Sequence, residues 1–529
     1  MRKLILLLCL SLPAFGALSY RIQWDVRGPG SDSNSGGFDP RVASPGTDYS
    51  QQNSPQITYT DLIVGPTTTH YTSALNPVSS ALPGNTLRVT GGTGCTTGTF
   101  EILSNATITA TVDRSLGTAA SICTAVLGGS FATIAHAMAV NSGALDTIWI
   151  KTATTTLTTG LCNSTNQSSC SGTAIVSITL AGYDSTHGDI TPACLAAATC
   201  TRPLITTSTS SQEIFNLYGP TNSSLFESFS LQSLELSNTA SSSAYPLIAG
   251  ISGGPDLFLV NVKLDVTGTN SGGASGIYND NQFSEISLWG CECNVPSPNA
   301  CIADQQEYAS SDGWGTYIYY SYFHGTGTGI WDVNSGGHQR WHIIGSVFSG
   351  MSRAIYGQHT GDESMNNLLL IGNSFYNMTN EAVRYNDYAD HFIYAANNIF
   401  WGGTYGMYIN GYIANGPSVP FGQALSQSNA YGNQSTAAYV PYSFGAVSAG
   451  VLGGTPAGMN SSDITLTVSP FNNPSGGDFT LNNTAGGGAA LKAAGFPGLT
   501  PAGTGYLDIG ALQSAAAAGA SIAAGGYVQ

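Results

Sequence analysis

From residue 276 to 412 the chain repeats one alternation of positions: a small residue, an aliphatic residue, a variable residue and then a polar turn. The starts are Gly276-Ile277-Tyr278-Asn279, Cys301-Ile302-Ala303-Asp304, Gly329-Ile330-Trp331-Asp332, Ala354-Ile355-Tyr356-Gly357, Ala382-Val383-Arg384-Tyr385 and Gly406-Met407-Tyr408-Ile409. Counted between the aliphatic residues, the spacings are 25, 28, 25, 28 and 24. A second apolar strand follows each start. Self-similarity at 20–50 residues marks a repeat architecture. The repeat is strand-rich, punctuated by Gly and Asn, and has no helical period, so one copy predicts one coil of a β-solenoid. Coils of this length accommodate three sheets. Ile277, Ile302, Ile330, Ile355, Val383 and Met407 are expected to form one interior column, and Phe323, Phe348, Phe375 and Phe400 a second. Asn373 and Asn397 are placed at a sharp corner, where asparagine tolerates a left-handed backbone. An antiparallel sandwich is the competing architecture.

The pattern divides the rest of the chain. Further strands are expected at 175–180, 203–206, 214–217, 225–231, 234–236, 247–251 and 257–266. Phe131, Ile134, Ala135 and Met138 fall at helical spacing with Ser130 as cap, which predicts a short helix over the open end of the solenoid. A small β insertion closed by Cys95 and Cys123 is expected around 86–126. Residues 1–16 read as a secretory signal peptide: Met1-Arg2-Lys3, an apolar run, then Ala14 and Gly16 before a cut at Ala17. The divisions are 1–16, a loop-rich region with its insertion at 17–128, the helix of strands at 129–430, closing coils at 431–513 and a flexible tail at 514–529.

Composition narrows the class of partner. The chain carries 14 basic and 30 acidic residues, a formal charge of −16; loss of Arg2 and Lys3 leaves 12 − 30 = −18. A polyanion such as nucleic acid is repelled by that balance. No segment is long enough to span a membrane. Ten cysteines, one of them in the leader, fit an exported, disulfide-bearing protein. Local pairings are Cys95 with Cys123, Cys162 with Cys170, Cys194 with Cys200, and Cys301 with Cys291 or Cys293. Cys291, Cys293 and Cys301 could instead hold zinc.

The coil starts resemble those of secreted right-handed parallel β-helix proteins of the pectate-lyase-like superfamily. So do the opening Gly129-Ser130-Phe131-Ala132-Thr133-Ile134-Ala135-His136-Ala137, the strand Asp146-Thr147-Ile148-Trp149-Ile150-Lys151 and the closing Asp508-Ile509-Gly510-Ala511-Leu512-Gln513. The resemblance covers roughly 129–513 and implies an all-β, right-handed, three-sheet solenoid with a helix cap. Its members include lyases, hydrolases, epimerases, viral tailspikes and adhesins. Residues 38–128 depart from a simple member, and such inserted modules also occur in phage-associated relatives.

Candidate chemistry follows from stacking. Asp304 and Asp332 share a position in successive coils, so their carboxylates are expected about 5 Å apart. Like charges that close raise one pKa, the logic of an acid and base pair in a glycosidase. His338 or His359 would orient them. In a lyase, the same carboxylates would hold Ca²⁺ while Arg340 or Arg384 serves near the proton being removed. No Asn-Thr-Asp with a downstream Gly-His-Gly is present, and Gly337-His338-Gln339-Arg340 matches the hydrolase histidine motif only in part. Trp331, Tyr356 and Tyr408, with Asp387 nearby, are expected to face outward and stack on sugar rings. Asp32, Asn34 and Asp39 place oxygen ligands at short spacing, as a Ca²⁺ loop would. The function these residues suggest is binding, and cleavage by hydrolysis or elimination, of a polysaccharide or cell-surface glycan. The alternative is a non-catalytic adhesin or tail-fibre-like structural protein, monomeric or homotrimeric.

Overall fold

The computed structural model describes residues 22–140, 146–161, 177–209, 213–217, 228–239, 245–251, 256–268, 275–280, 285–304, 315–332, 340–358, 367–387, 392–411, 423–440, 463–492, 494–495 and 508–513. The expected leader at 1–16, the expected tail at 514–529 and the expected Cys162–Cys170 pairing lie outside these residues.

Strand alternation builds the solenoid. Asp256–Val260, Glu285–Trp289 and Gly315–Tyr319 each alternate part-exposed and buried positions, so one face turns inward and the other out. Successive coils repeat this, giving a first sheet of 12 strands, a second of 11 and a third of 9. Strands from neighbouring coils pair in parallel, which removes the antiparallel sandwich. The register sets Ile277, Ile302, Ile330, Ile355, Val383 and Met407 directly over one another. None of the six is more than 1% exposed. The aromatic column is equally regular. Phe323, Phe348, Phe375 and Phe400 stack with centroids 4.8, 5.2 and 4.8 Å apart, and Tyr431 extends the pile at 5.0 Å.

The corner between the first and second sheets carries a polar ladder. A left-handed residue makes each turn: Gly345, Gly372 and Asn397 have φ of 62°, 62° and 58°. In the earlier coils the next residue is Leu234, Val262 or Cys291; from Ser321 onward it is Ser or Asn, with Asp463 at the end of the ladder, and its side chain accepts a hydrogen bond from the backbone N–H one coil below. Ser321 receives Cys291 N at 3.1 Å, Ser346 receives Ser321 N at 3.1 Å, and Asn373 receives Ser346 N at 2.9 Å. Asn398 receives Asn373 N at 2.9 Å, Asn429 receives Asn398 N at 2.9 Å, and Asp463 receives Asn429 N at 2.7 Å. Asn373 therefore matches Asn398, not Asn397, and only Asn397 of the expected pair is left-handed.

The open end is closed as the sequence predicts, with a different cap. Helix Ile134–Val140 buries Ile134, Ala137 and Met138. Thr133, not Ser130, caps it: Thr133 Oγ1 accepts from His136 N at 3.1 Å. Asp32 accepts from Ala132 N, Thr133 N and Thr133 Oγ1 at 2.9, 3.0 and 2.8 Å. Asn34 Nδ2 donates to Asn53 O and Ser130 O, and Asp39 accepts from Arg41. The three oxygen-bearing residues thus brace separate pieces of backbone instead of converging on a cation. Strand Gln23–Val26 adds to the first sheet beside Asp146–Lys151, and Gly37–Phe38 covers its far edge. Asp25 locks that strand down. It is fully buried and accepts from Arg27 Nε, Tyr183 Oη and His187 Nε2 at 2.7, 2.8 and 2.9 Å.

The turn that delivers His187 to Asp25 has its own pH dependence. Asp189 accepts from Asp184 N, Ser185 N and Thr186 N at 2.8, 2.7 and 2.9 Å. Burial pulls its carboxyl upward, but those bonds prevail and bring it from 3.8 down to about 2. A depressed folded pKa stabilises the turn fully above 3.8 and ceases to do so as pH falls through about 2. Amide shifts of Asp184, Ser185 and Thr186 are expected to titrate together in that window. Shifts that stay flat from pH 4 to about 2 would contradict this.

The insertion is a closed antiparallel barrel of strands Ile57–Val64, His70–Thr72, Thr86–Gly91, Gly98–Ala106, Thr109–Val112 and Ile122–Leu127. It starts earlier than the sequence suggests and carries the Cys95–Cys123 disulfide. Cys194–Cys200 and Cys293–Cys301 also form. The last pairing removes the zinc reading, because two of its three ligands are consumed. Cys291 stays a buried thiol, pushed up to about 11 by burial. Ile464–Thr465 is the last strand of the second sheet, and beyond it the chain to residue 492, with 508–513, folds back over that sheet's outer side. Phe479 meets Tyr322 and Tyr376, and Gly510 N donates to Asn397 O at 2.8 Å. Val347, Ile399 and Ala430 point outward there yet are buried beneath this strap.

Candidate functional site

With the second sheet covered, the third keeps an open outer face. It is built from the coil starts: Ser275–Asp280, Ala300–Asp304, Thr328–Asp332, Arg353–Gln358, Glu381–Asp387 and Tyr405–Gly411. One residue past the aliphatic column, alternation turns the side chain outward. The register lines up Ala303, Trp331, Tyr356, Arg384 and Tyr408 in that row. Neighbours in the row are one strand spacing apart, about 4.8 Å.

Two residues before the column stands a second row, with Arg353 beside Glu381. Arg353 Nε donates to Glu381 Oε2 at 2.7 Å, and Arg384 Nη1 donates to Glu381 Oε1 at 3.2 Å. The side chains of Arg353 and Arg384 keep 22% and 30% of their surface exposed, against 9% for Glu381. Both guanidiniums lie against rings. Arg353 Cζ is 4.5 Å from the Tyr356 centroid, and Arg384 Cζ is 5.7 and 5.5 Å from those of Tyr356 and Tyr408. Tyr405 packs against Tyr408 with centroids 5.1 Å apart. The result is a strip of rings and guanidinium planes with a local charge of +1 (two arginines, one glutamate) on a chain of −16.

The residues singled out in the sequence divide into groups. Trp331, Tyr356 and Tyr408 share one outward row, and Arg384, expected beside Arg340 near a lyase's proton, stands in that row with them. Asp304 and Asp332 do sit opposite each other in adjacent coils, but at 1% and 0% exposure. They are two residues past the column, so alternation sends them to its own buried side. Asn279 Nδ2 donates to Asp304 Oδ1 at 3.2 Å in the same row. They are therefore not on the open face where the acid and base pair was expected. Arg340 opens a first-sheet strand instead, in register with Gly315 and away from the third-sheet rows. His338 and His359 lie outside the described residues, as does the side chain of Asp387. Arg353, Glu381 and Tyr405 were missed. They stand two places before the last three aliphatic markers, Ile355, Val383 and Met407, where the earlier coils carry Ser275, Ala300 and Thr328.

Among the described residues no three His, Cys, Asp or Glu side chains gather as a metal ion would require, and no helix is long and apolar enough to cross a membrane. Glu381 is a carboxylate of the strip, and both arginines donate hydrogen bonds to it. Such a site can bind and orient, and among the described residues the outward rows show no second carboxylate beside Glu381. Comparison with protein-family models, with curated proteins and with solved structures yields no match.

Proposed function

We propose that this is an exported β-solenoid that binds an acidic polysaccharide along the outer face of its third sheet, where the local +1 charge of Arg353, Arg384 and Glu381 offsets the repulsion that the chain's −16 otherwise imposes on a polyanion. The observation that carries this is the row Trp331, Tyr356, Arg384 and Tyr408, with Arg353 alongside. Rings present apolar faces to the C–H faces of sugars. Guanidiniums pair with carboxylates in a planar, two-pronged way that suits a uronate. Successive sugars of an extended chain then meet successive coils. The disulfides and the leader-like start support export. The resemblance to pectate-lyase-like β-helix proteins supports a glycan ligand. The hydrogen bonds that engage Glu381 and the burial of Asp304 and Asp332 support a reading of binding without cleavage.

Titration calorimetry with polygalacturonate, alginate and a neutral glucan tests it. Binding to at least one acidic chain is expected, weakened about 10-fold (~1.4 kcal/mol) by Tyr356→Ala and by Arg384→Ala. Equal affinity in the variants, or preference for the neutral glucan, would overturn it. Appearance of unsaturated uronate or new reducing ends on incubation would show that the site cleaves, and Asp304→Asn and Asp332→Asn would then locate the chemistry.

A further inference from the structure

The outer face of the first sheet is of a different kind. One row reads Val260, Trp289, Tyr319, Ile344 and Ile371, in register through five consecutive strands. All five point outward and are only partly buried. Aliphatic residues make up more than half of it, which suits protein better than sugar. Contiguous outward apolar rows of this kind mark association surfaces. At the start of the same strands a second row reads Glu285, Gly315 and Arg340. Among the described residues neither Glu285 nor Arg340 makes an ion pair. Gly315 leaves a gap between them that the Tyr317 ring fills: a Cβ there would meet that ring at 2.6 Å.

We propose that this face is the contact between two copies of the chain, related by a twofold axis that runs along the Gly315–Tyr319 strand. Such an axis keeps strand direction and reverses the order of coils. It sets Trp289 against Ile344 of the second copy, Val260 against Ile371, and Tyr319 against itself. It also sets Glu285 against Arg340 of the second copy, twice by symmetry. One row pattern is thereby self-complementary in both shape and charge, as an isologous interface requires. Aligned packing of two sheets with near-parallel strands is an ordinary geometry. The other two faces are accounted for, one by the chain's own C-terminal strap and the other by its charged strip. Five coils at about 4.8 Å and five residues at about 3.3 Å give a footprint of roughly 400 Å². That is about half the surface per partner of a standard interface, so the dimer is weak and concentration-dependent.

Sedimentation velocity of the full chain, from about 1 to 200 µM, reads this directly, since weak interfaces of this size dissociate in that range. A monomer–dimer transition is expected. Ile344→Lys abolishes it. Glu285→Arg and Arg340→Glu each move its midpoint at least ~10-fold higher, and the double variant Glu285→Arg/Arg340→Glu restores it. Circular dichroism confirms that each variant is folded. A monomer at every concentration, a trimer, or a dimer indifferent to these changes would overturn the proposal. Glycan binding is measured separately on Tyr356→Ala, so loss of one reading leaves the other standing.

Discussion

Asn398→Ala is expected to cost at least about 3 kcal/mol, a large change for a substitution that removes no apolar core residue. Asn398 is fully buried. Its side chain accepts from Asn373 N and Nδ2 at 2.9 and 3.0 Å, and donates to Leu370 O and Asn429 Oδ1, both at 2.9 Å. Truncation strips a partner from each of those buried groups at once. A buried group left unsatisfied costs about 1–3 kcal/mol, and the residual void adds to it. The denaturant midpoint measures the effect, provided the slope is unchanged. A loss under about 1 kcal/mol would mean that the corner ladder is decorative.

Asp25→Ala is expected to be comparably severe, at about 3–5 kcal/mol, the range for breaking a buried ion pair from one side. Arg27, only 10% exposed, would keep its charge and lose its counterion, while Tyr183 and His187 would lose their acceptor. Asp25→Asn retains the shape and should fall between. The damage is local to the capped end, because contacts in a solenoid run between neighbours. Hydrogen exchange should therefore accelerate in Gln23–Val26 and Asp146–Lys151 before it does in the central coils. Uniform acceleration along the whole chain would contradict that.

Much of this architecture was legible because a solenoid places like residues over like. The aliphatic column and the phenylalanine pile could be read from spacing alone, and each step of the register agrees with the reading. The corner was misaligned by one residue for a physical reason. The left-handed position tolerates several residue types, Tyr320 and Ser428 among them, whereas the acceptors of the ladder, from Ser321 onward, stand at the next position. Searching for asparagine alone mixed the two. The outward row was legible at Trp331, Tyr356, Arg384 and Tyr408, since one step past the column changes faces. Asp304 and Asp332 were misread because two steps return to the buried side. Arg353 and Glu381 escaped because Ala354 and Ile355 are both buried, so strict alternation fails just before the column. No counting from the marker would have turned them outward.

The segment that folds back over the second sheet changes how the molecule comes apart. A coil held only by the coils above and below can be peeled away from the end, one turn after another. Here Phe479 touches Tyr322 and Tyr376, and Gly510 and Ala511 bond Asn397 and Ser374, so one returning stretch grips turns well separated along the axis. Pulling on that end, or nicking it with a protease, must free all of those grips before the first turn can unravel. Rupture there should come as one abrupt event under load, not as a staircase of single turns.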